Sequence, residues 1–370
     1  MRAPATLDRF VGVLGKGIIV VAPSARLTRP WLDATRATVL QRVANRPIVC
    51  HVLDALRAAG VQEIALLAPP DLGEEVMACI ANEGSAHGEV TCLACDGHAE
   101  PADALRALAR FAGDEPTVLH RADGLLGQPL APFLELLRAE RPDMVLLVAQ
   151  GARNAERLGP AAQQVLRVAE FDPANAALGV AGVCLFGAGV LSRLAHAGAV
   201  PLSLEFGALV ESQIARDDSR IQVRVVREWR GFAGDTFDLL DMNRAVLDAL
   251  VEPNGQVTAT PIDGNRFEGR VFIDATASVT SSVICGPVIL GAGAHVADSY
   301  IGPHTSIGER VHMEGVEIER SIVLDGASIL HVGGRLVASV VGRDARIFRD
   351  FSVPRAMRLQ VGEGDEVALC

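Results

Sequence analysis

The sequence is poor in lysine, in tyrosine and in long apolar runs. Lys16 is its one lysine, so nearly all of its 34 basic residues are arginine. No basic tract occurs, and the formal net charge is −11. Neutralising nucleic-acid phosphates takes clustered lysine and arginine, so a nucleic-acid partner is excluded. The same balance opposes docking on anionic membrane surfaces. The apolar runs stop well short of the roughly 18 residues that cross a bilayer, which excludes a membrane-spanning helix. Aromatics make up only 4% of the chain and Tyr300 is the single tyrosine. With 49% apolar and 21% charged residues the composition is still that of a globular chain, not a disordered one. A disulfide framework is also missing. The 7 cysteines are odd in number and scattered, at positions 50, 79, 92, 95, 184, 285 and 370, as in the reduced thiols of a cytoplasmic protein.

What is present divides in two. A length of 370 residues predicts two domains, at roughly 150 residues each. Residues 17–22 (GIIVVA) are a short continuous apolar run, as expected of a strand buried on both faces. They mimic a secretory core weakly, but Asp8, Arg9 and Lys16 interrupt what precedes them, so the strand is the better reading. A helix over 47–59 follows, with Pro47 in its first turn and Gly60 just past its end. EIALLA at 63–68, VTCLA at 90–94, TVLHR at 117–121 and MVLLVA at 144–149 read as further strands. Helical patterns at 101–112 and 130–140 separate them. Strands alternating with helices at this spacing predict an α/β domain with a parallel sheet. Ligands in such sheets bind beyond the carboxyl ends of the strands, which singles out the loops 23–38 and 122–128.

From about residue 271 the helical signal vanishes. Apolar residues then recur at every sixth position in three registers. The first holds Ile273, Val279 and Cys285. The second holds Ile289, Ile301, Ile307 and Met313, with His295 as its exception. The third holds Val323, Ile329, Val341 and Ile347, with Arg335 as its exception. A hexapeptide period predicts a parallel β-helix with one inward residue per short strand, here over about residues 265–348 in four or five coils. The α/β domain then spans about 14–250, and a tail follows at 349–370.

An α/β domain followed by a hexapeptide β-helix resembles the sugar-1-phosphate nucleotidylyltransferases, in particular the long-form glucose-1-phosphate thymidylyltransferases. The matching stretches are Val43-Ala-Asn-Arg-Pro47, Ala59-Gly-Val-Gln-Glu-Ile64, Gly113-Asp-Glu-Pro116 and Asp238-Leu-Leu-Asp-Met-Asn-Arg244. Tyr300-Ile-Gly-Pro-His-Thr-Ser-Ile-Gly308, Ser321-Ile-Val-Leu324 and Pro354-Arg-Ala-Met-Arg-Leu-Gln-Val-Gly362 match in the repeats and the tail. The resemblance implies a Rossmann-like nucleotide-diphospho-sugar transferase domain and a left-handed β-helix. It also implies a reaction in which a sugar 1-phosphate attacks a nucleoside triphosphate and releases pyrophosphate. Such chemistry needs charge neutralisation and positioning more than covalent help. The family supplies a glycine-rich loop, a phosphate-binding lysine and two aspartates for Mg²⁺.

This chain departs from that set. Where the family has a glycine-rich loop it reads Ala22-Pro-Ser-Ala-Arg-Leu-Thr-Arg-Pro30, without a glycine and with Pro23 removing one N–H donor. The lysine of Thr-Arg-Ala-Lys is Thr38 in Thr35-Arg-Ala-Thr38. Arg26, Arg29 and Arg36 are therefore the candidate phosphate contacts, although arginine does not replace lysine's compact charge. Asp123, in His120-Arg-Ala-Asp-Gly-Leu-Leu126, matches the first metal aspartate. Phe232 stands at the second, and Asp235 lies three residues on. Mg²⁺, the implied cofactor, is usually held by one or two carboxylates plus substrate phosphates, so one loss weakens the site. Glu170 and Glu205 match family positions for substrate recognition.

Two rival sites have plainer readings. Cys92-Leu-Ala-Cys95 with His98 lacks the four ligands of a structural zinc site, and core thiols account for the pair. His295, His304, His312 and His331 invite comparison with β-helix acyltransferases that use histidine as a general base, although corner or surface histidines suffice. The residues thus predict a nucleotidylyltransferase homologue of little or no activity that binds a nucleotide or sugar phosphate, or regulates a partner. The alternatives are a working enzyme with rearranged phosphate handling, and a β-helix acyltransferase. A homo- or hetero-oligomer is expected, with the repeats as an assembly or capping module.

Overall fold

A computed structural model describes residues 15–21, 37–83, 90–94, 101–150, 178–196, 211–214, 216, 219–250, 264–349 and 351. The chain divides into two compact units, residues 1–251 and 252–370. Among the described residues no helix is long and apolar enough to cross a membrane.

The first unit is built on a seven-stranded sheet of β1 (Lys16–Val20), β4 (Glu63–Ala68), β5 (Val90–Ala94), β6 (Thr117–Arg121), β8 (Met144–Gln150), β9 (Leu178–Phe186) and β10 (Ile221–Val226). The spatial order is β10-β8-β9-β6-β1-β4-β5. Strands β2 (Arg42–Val43) and β3 (Arg46–Pro47) form a small hairpin, and β7 (Gly124–Leu126) pairs with β11 (Trp229–Gly231). The expected parallel sheet needs one correction. β9 runs antiparallel to both β6 and β8, so the sheet is mixed.

Strand β1 shows why its run is apolar throughout. Ile18 and Val20 enter a core on one face, while Ile19 and Val21 enter a core on the other. Alternate side chains of a strand point to opposite faces, so a sheet covered on both sides leaves no polar position. Helices α1 (Ile48–Ala58), α2 (Pro70–Asn82) and α4 (Ala131–Glu140) cover the first face, through residues such as Val52, Leu53, Val76 and Leu134. Helices α3 (Pro101–Ala112) and α5 (Val190–His196) cover the second, through Leu105, Leu108 and Leu191. Helix α1 begins at Ile48, with Pro47 as its N-cap residue, and is followed by Gly60 at φ +86°, the left-handed position that glycine adopts cheaply.

The second unit is a parallel β-helix. Fifteen strands of two or three residues form three five-stranded parallel sheets. Its core is a column of Ile284, Leu290, Val296, Ile301, Ile307, Met313 and Ile318, all essentially inaccessible. Their spacing corrects the strict six-residue reading. From Ile284 to Ile318 two steps of six are followed by a step of five, so neighbours on these coils are 17 residues apart. A further step of five, from Ile318 to Val323, brings the pairing of Ile307 with Val323 to 16. The inward residues are therefore Ile284 and Leu290, while Cys285 and Ile289 lie beside them and are only half-buried. The two exceptions dissolve in the same way, since Val296 and Leu336 follow His295 and Arg335 and take the inward places. The last coil is longer, because Val332-Gly-Gly-Arg335 widens one corner and moves the spacing to 18.

Serine hydroxyls close the corners. The Ser299 hydroxyl donates to the Ala297 carbonyl at 2.6 Å and accepts the Val316 N–H at 3.2 Å. Ser282 and Ser321 repeat this arrangement toward Ser299 and Ser339. Each buried hydroxyl thus takes up a backbone group that the turn leaves over.

Candidate functional site

The loop after β6 carries the one candidate site residue that falls among the described residues. Arg121 ends the strand and Asp123 lies two residues on, which puts both side chains on one side of the chain. The guanidinium closes on the carboxylate with two bonds, Nε to Oδ1 at 3.0 Å and Nη2 to Oδ2 at 2.8 Å. Side-chain exposures of 18% for Arg121 and 12% for Asp123 keep the pair largely out of water. A bidentate, charge-assisted pair of this kind is the strongest form of arginine–carboxylate contact.

Phe232 lies against the same point. Its N–H donates to the Asp123 carbonyl at 2.8 Å, just beyond the β7–β11 pairing. Two positions more than a hundred residues apart in sequence therefore meet at the carboxyl end of the sheet. The Phe232 side chain is buried. Asp235 is no substitute for it, because its carboxylate accepts the Phe237 N–H at 3.0 Å and caps α6 (Thr236–Ala249). Asp238 is buried and accepts the Ala233 N–H. Burial would raise the Asp241 pKa, but Arg244 and Arg230 outweigh it and hold the carboxyl below its usual range. Among the described residues no group of three or more metal-ligating side chains converges.

Trp229 and His120 line the inner side of this region. The indole is wedged between two strands, and a Cβ on Gly124 or on Gly182 would lie 2.2 or 2.4 Å from it. Gly124 is glycine for this reason rather than for a left-handed turn. His120 is fully buried, and its Nδ1–H donates to the Arg121 carbonyl at 2.7 Å. Burial pushes its pKa down to about 4, so it is neutral at pH 7. The Trp229 N–H is buried and has no hydrogen-bond partner.

Arg26, Arg29, Arg36, Glu170 and Glu205 lie outside the described residues, as do His98 and Cys95. Thr38, at the position of the family lysine, is buried and its hydroxyl is unpartnered. Lys16 cannot take over. It stands at the amino end of β1, about 13 Å of strand away from the carboxyl end. There its ammonium donates to the Phe111 carbonyl at 3.0 Å and pairs with Glu63 at 3.2 Å. The matched Asp238–Arg244 stretch has a structural task. The Asn243 side chain is buried and accepts the Ala44 N–H at 2.7 Å, fixing the β2–β3 hairpin. Sequence reading missed Arg121, although its two-residue spacing from Asp123 at a strand end was a visible signal. It also placed Cys92 in the core. Cys92 is exposed, because β5 is the edge strand of the sheet.

The four β-helix histidines do not share one site. His295 and His312 stack on one sheet with ring centroids 5.0 Å apart, and Ser278 meets His295 Nδ1 at 2.6 Å. His331 pairs with Glu314, and His304 occupies a left-handed corner at φ +59°. An open cavity of about 630 Å³ lies on another side of the coils. Its lining includes Asp298, Glu317, Gly334 and a guanidinium of Arg335 seated 4.9 Å over the Tyr300 ring, and none of these four histidines.

No family model matches the chain. Whole proteins do. The glucose-1-phosphate thymidylyltransferase of Streptomyces griseus is 29% identical over 362 residues, which is 94% of this chain and 98% of that protein. The glucose-1-phosphate thymidylyltransferase of Streptomyces antibioticus is 26% identical over 368 residues, covering 96% and 99%. The low-salt glycan biosynthesis nucleotidyltransferase Agl11 of Haloferax volcanii is 28% identical over 372 residues, covering 96% and 100%. Similarity at this level along the whole length makes the chain a distant relative of the sugar-1-phosphate nucleotidylyltransferases.

Proposed function

We propose that this distant relative of the glucose-1-phosphate thymidylyltransferases keeps their class of ligand and has lost most of their chemistry. It binds a nucleotide or a sugar 1-phosphate at the carboxyl ends of β1 and β6, and turns it over weakly or not at all. Its cellular role is then to hold such a ligand or to regulate an active partner. The observation that carries this reading is the closure of Arg121 on both oxygens of Asp123, with Phe232 on that residue's carbonyl.

In-line displacement at a phosphorus atom gathers negative charge on the reacting group, and catalysis consists largely of neutralising and orienting it. The chain brings no glycine-rich cradle, no lysine and no second carboxylate to the matching positions. The surviving Asp123 is engaged internally. Losing one preorganised electrostatic contact at a reacting centre typically costs a factor of 10² to 10³ in rate, and here several are gone together.

Purified protein with Mg²⁺, a panel of nucleoside triphosphates and glucose 1-phosphate, assayed for pyrophosphate release beside an active relative, tests the reading. The expected rate lies at least about a thousandfold below the relative, with binding of glucose 1-phosphate or a nucleotide retained in calorimetry. Brisk turnover that Asp123→Ala abolishes would overturn it and establish the rearranged enzyme, with Arg26, Arg29 and Arg36 as the groups to test next.

A further inference from the structure

We infer that the described residues at the end of β6 exclude divalent cations, and that the positive charge they offer a ligand is the Arg121 guanidinium. The inference rests on the ligand class proposed above but concerns a different property, the source of charge. Among the described residues the carboxylates around Phe232 are all engaged. Asp123 is held on both oxygens by Arg121. Asp235 caps a helix, Asp238 accepts a backbone N–H, and Asp241 is shared between Arg230 and Arg244. Phe232, at the matched second-ligand position, offers an aromatic ring. The ring is buried, and the residue's backbone N–H is bonded to Asp123 beside the β7–β11 pairing.

A dication needs carboxylate oxygens with lone pairs to spare. To reach Asp123 it must displace two short charge-assisted bonds and then sit beside the displaced guanidinium. That is a like-charge contact in a partly dry site, where Coulomb repulsion is poorly screened. Arg121 and Asp123 together sum to zero formal charge, whereas two carboxylates would offer the cation two negative charges. The described residues therefore do not fit Mg²⁺. A phosphate-bearing ligand at the strand ends meets a covalently attached cation instead. Its binding does not call for a metal.

The sign of one substitution separates this from a metal-bridged site. Asp123→Asn keeps the shape but removes the counter-charge of Arg121. Affinity for glucose 1-phosphate then rises, by roughly tenfold if one charge-assisted hydrogen bond to phosphate is gained. At a metal site the same change lowers affinity.

The experiment is a pair of titrations on the full chain. Mn²⁺ is followed by electron paramagnetic resonance, and glucose 1-phosphate by calorimetry in EDTA and in Mg²⁺. The wild type is expected to leave the free Mn²⁺ signal unchanged, and to bind glucose 1-phosphate equally in both buffers. Arg121→Leu with Phe232→Asp is expected to create a Mn²⁺ site. Should that double variant not fold by circular dichroism, Arg121→Leu alone serves as the weaker gain. Mn²⁺ binding by the wild type that Asp123→Asn abolishes would overturn the inference. So would sugar-phosphate binding that requires Mg²⁺, or a loss of affinity in Asp123→Asn. Absence of any glucose 1-phosphate binding would count against the proposed ligand class instead, leaving the Mn²⁺ titration to decide the exclusion of the metal.

Discussion

The α/β unit is held by single-copy contacts across long stretches of sequence, and the β-helix by short contacts repeated coil after coil. Ala44 and Asn243 are 199 residues apart and make one bond between two particular places in the chain. Phe232 and Asp123 do the same at the end of the sheet. In the β-helix, by contrast, Ser282 and Ser299 place like hydroxyls at adjacent coils, with partners 17 residues on. The difference teaches where change is tolerated. A lost contact in the first unit removes a support that no neighbouring repeat duplicates. A lost contact in the second leaves neighbouring coils with the same interaction. A site that must be positioned closely therefore belongs in the first unit, and its alteration there can be read from few residues.

Three substitutions or conditions press on this contrast. The largest effect is expected from Gly182→Ala. The new methyl would lie 2.4 Å from the Trp229 ring and 2.7 Å from Arg121 Cδ, in a core with no room to give. A loss of about 3 kcal/mol is expected in urea unfolding, at the upper end of overpacking costs. A loss under about 1 kcal/mol would show that the Trp229 wedge is not a unique support.

The second test is pH. His120 is held neutral by burial, with its folded pKa near 4 against an ordinary 6.5. As pH falls below 6.5 the unfolded chain takes up a proton that the native chain refuses, so stability drops until the pH passes about 4. Between pH 7.5 and 5 this one group should cost about 2 kcal/mol. A His120→Gln variant should show a correspondingly shallower acid loss in denaturant titrations. Parallel curves for the two proteins would remove His120 as the cause.

The smallest effect belongs to the repeat. Ser299→Ala leaves the Val316 N–H without its hydroxyl acceptor. About 1 kcal/mol is expected, measured by thermal unfolding. A change as large as that of Gly182→Ala would break the contrast between unique and repeated contacts.

The residues themselves explain what the sequence disclosed. β1 and α1 were legible because one is a continuous apolar run and the other a clean helical stripe with a stop signal. Asp123 was legible as a residue just beyond a strand. Strand direction was not, since nothing in the nine residues of β9 distinguishes antiparallel from parallel pairing. The five-residue step of the coils was hidden inside an average of six, and surfaced as the breaks between the three registers and as His295 and Arg335 standing one place too early. Arg121 was overlooked because arginine in a strand reads as a solvated residue until its partner is seen. The resemblance marked Asn243 as a matching position, but only the bond to Ala44 gives it a task.

The corner at Gly333 and Gly334 sets a rule for how this protein can change in length. Loss or duplication of one whole coil would keep every inward residue inward and every hydroxyl over its partner. A single residue gained within a strand would turn the following side chains to the opposite face. The two-residue excess lies at a corner, outside the strands, where neither penalty applies. Such corners are where the gene has freedom to lengthen, and where a foreign segment could be grafted without disturbing the coil beneath it.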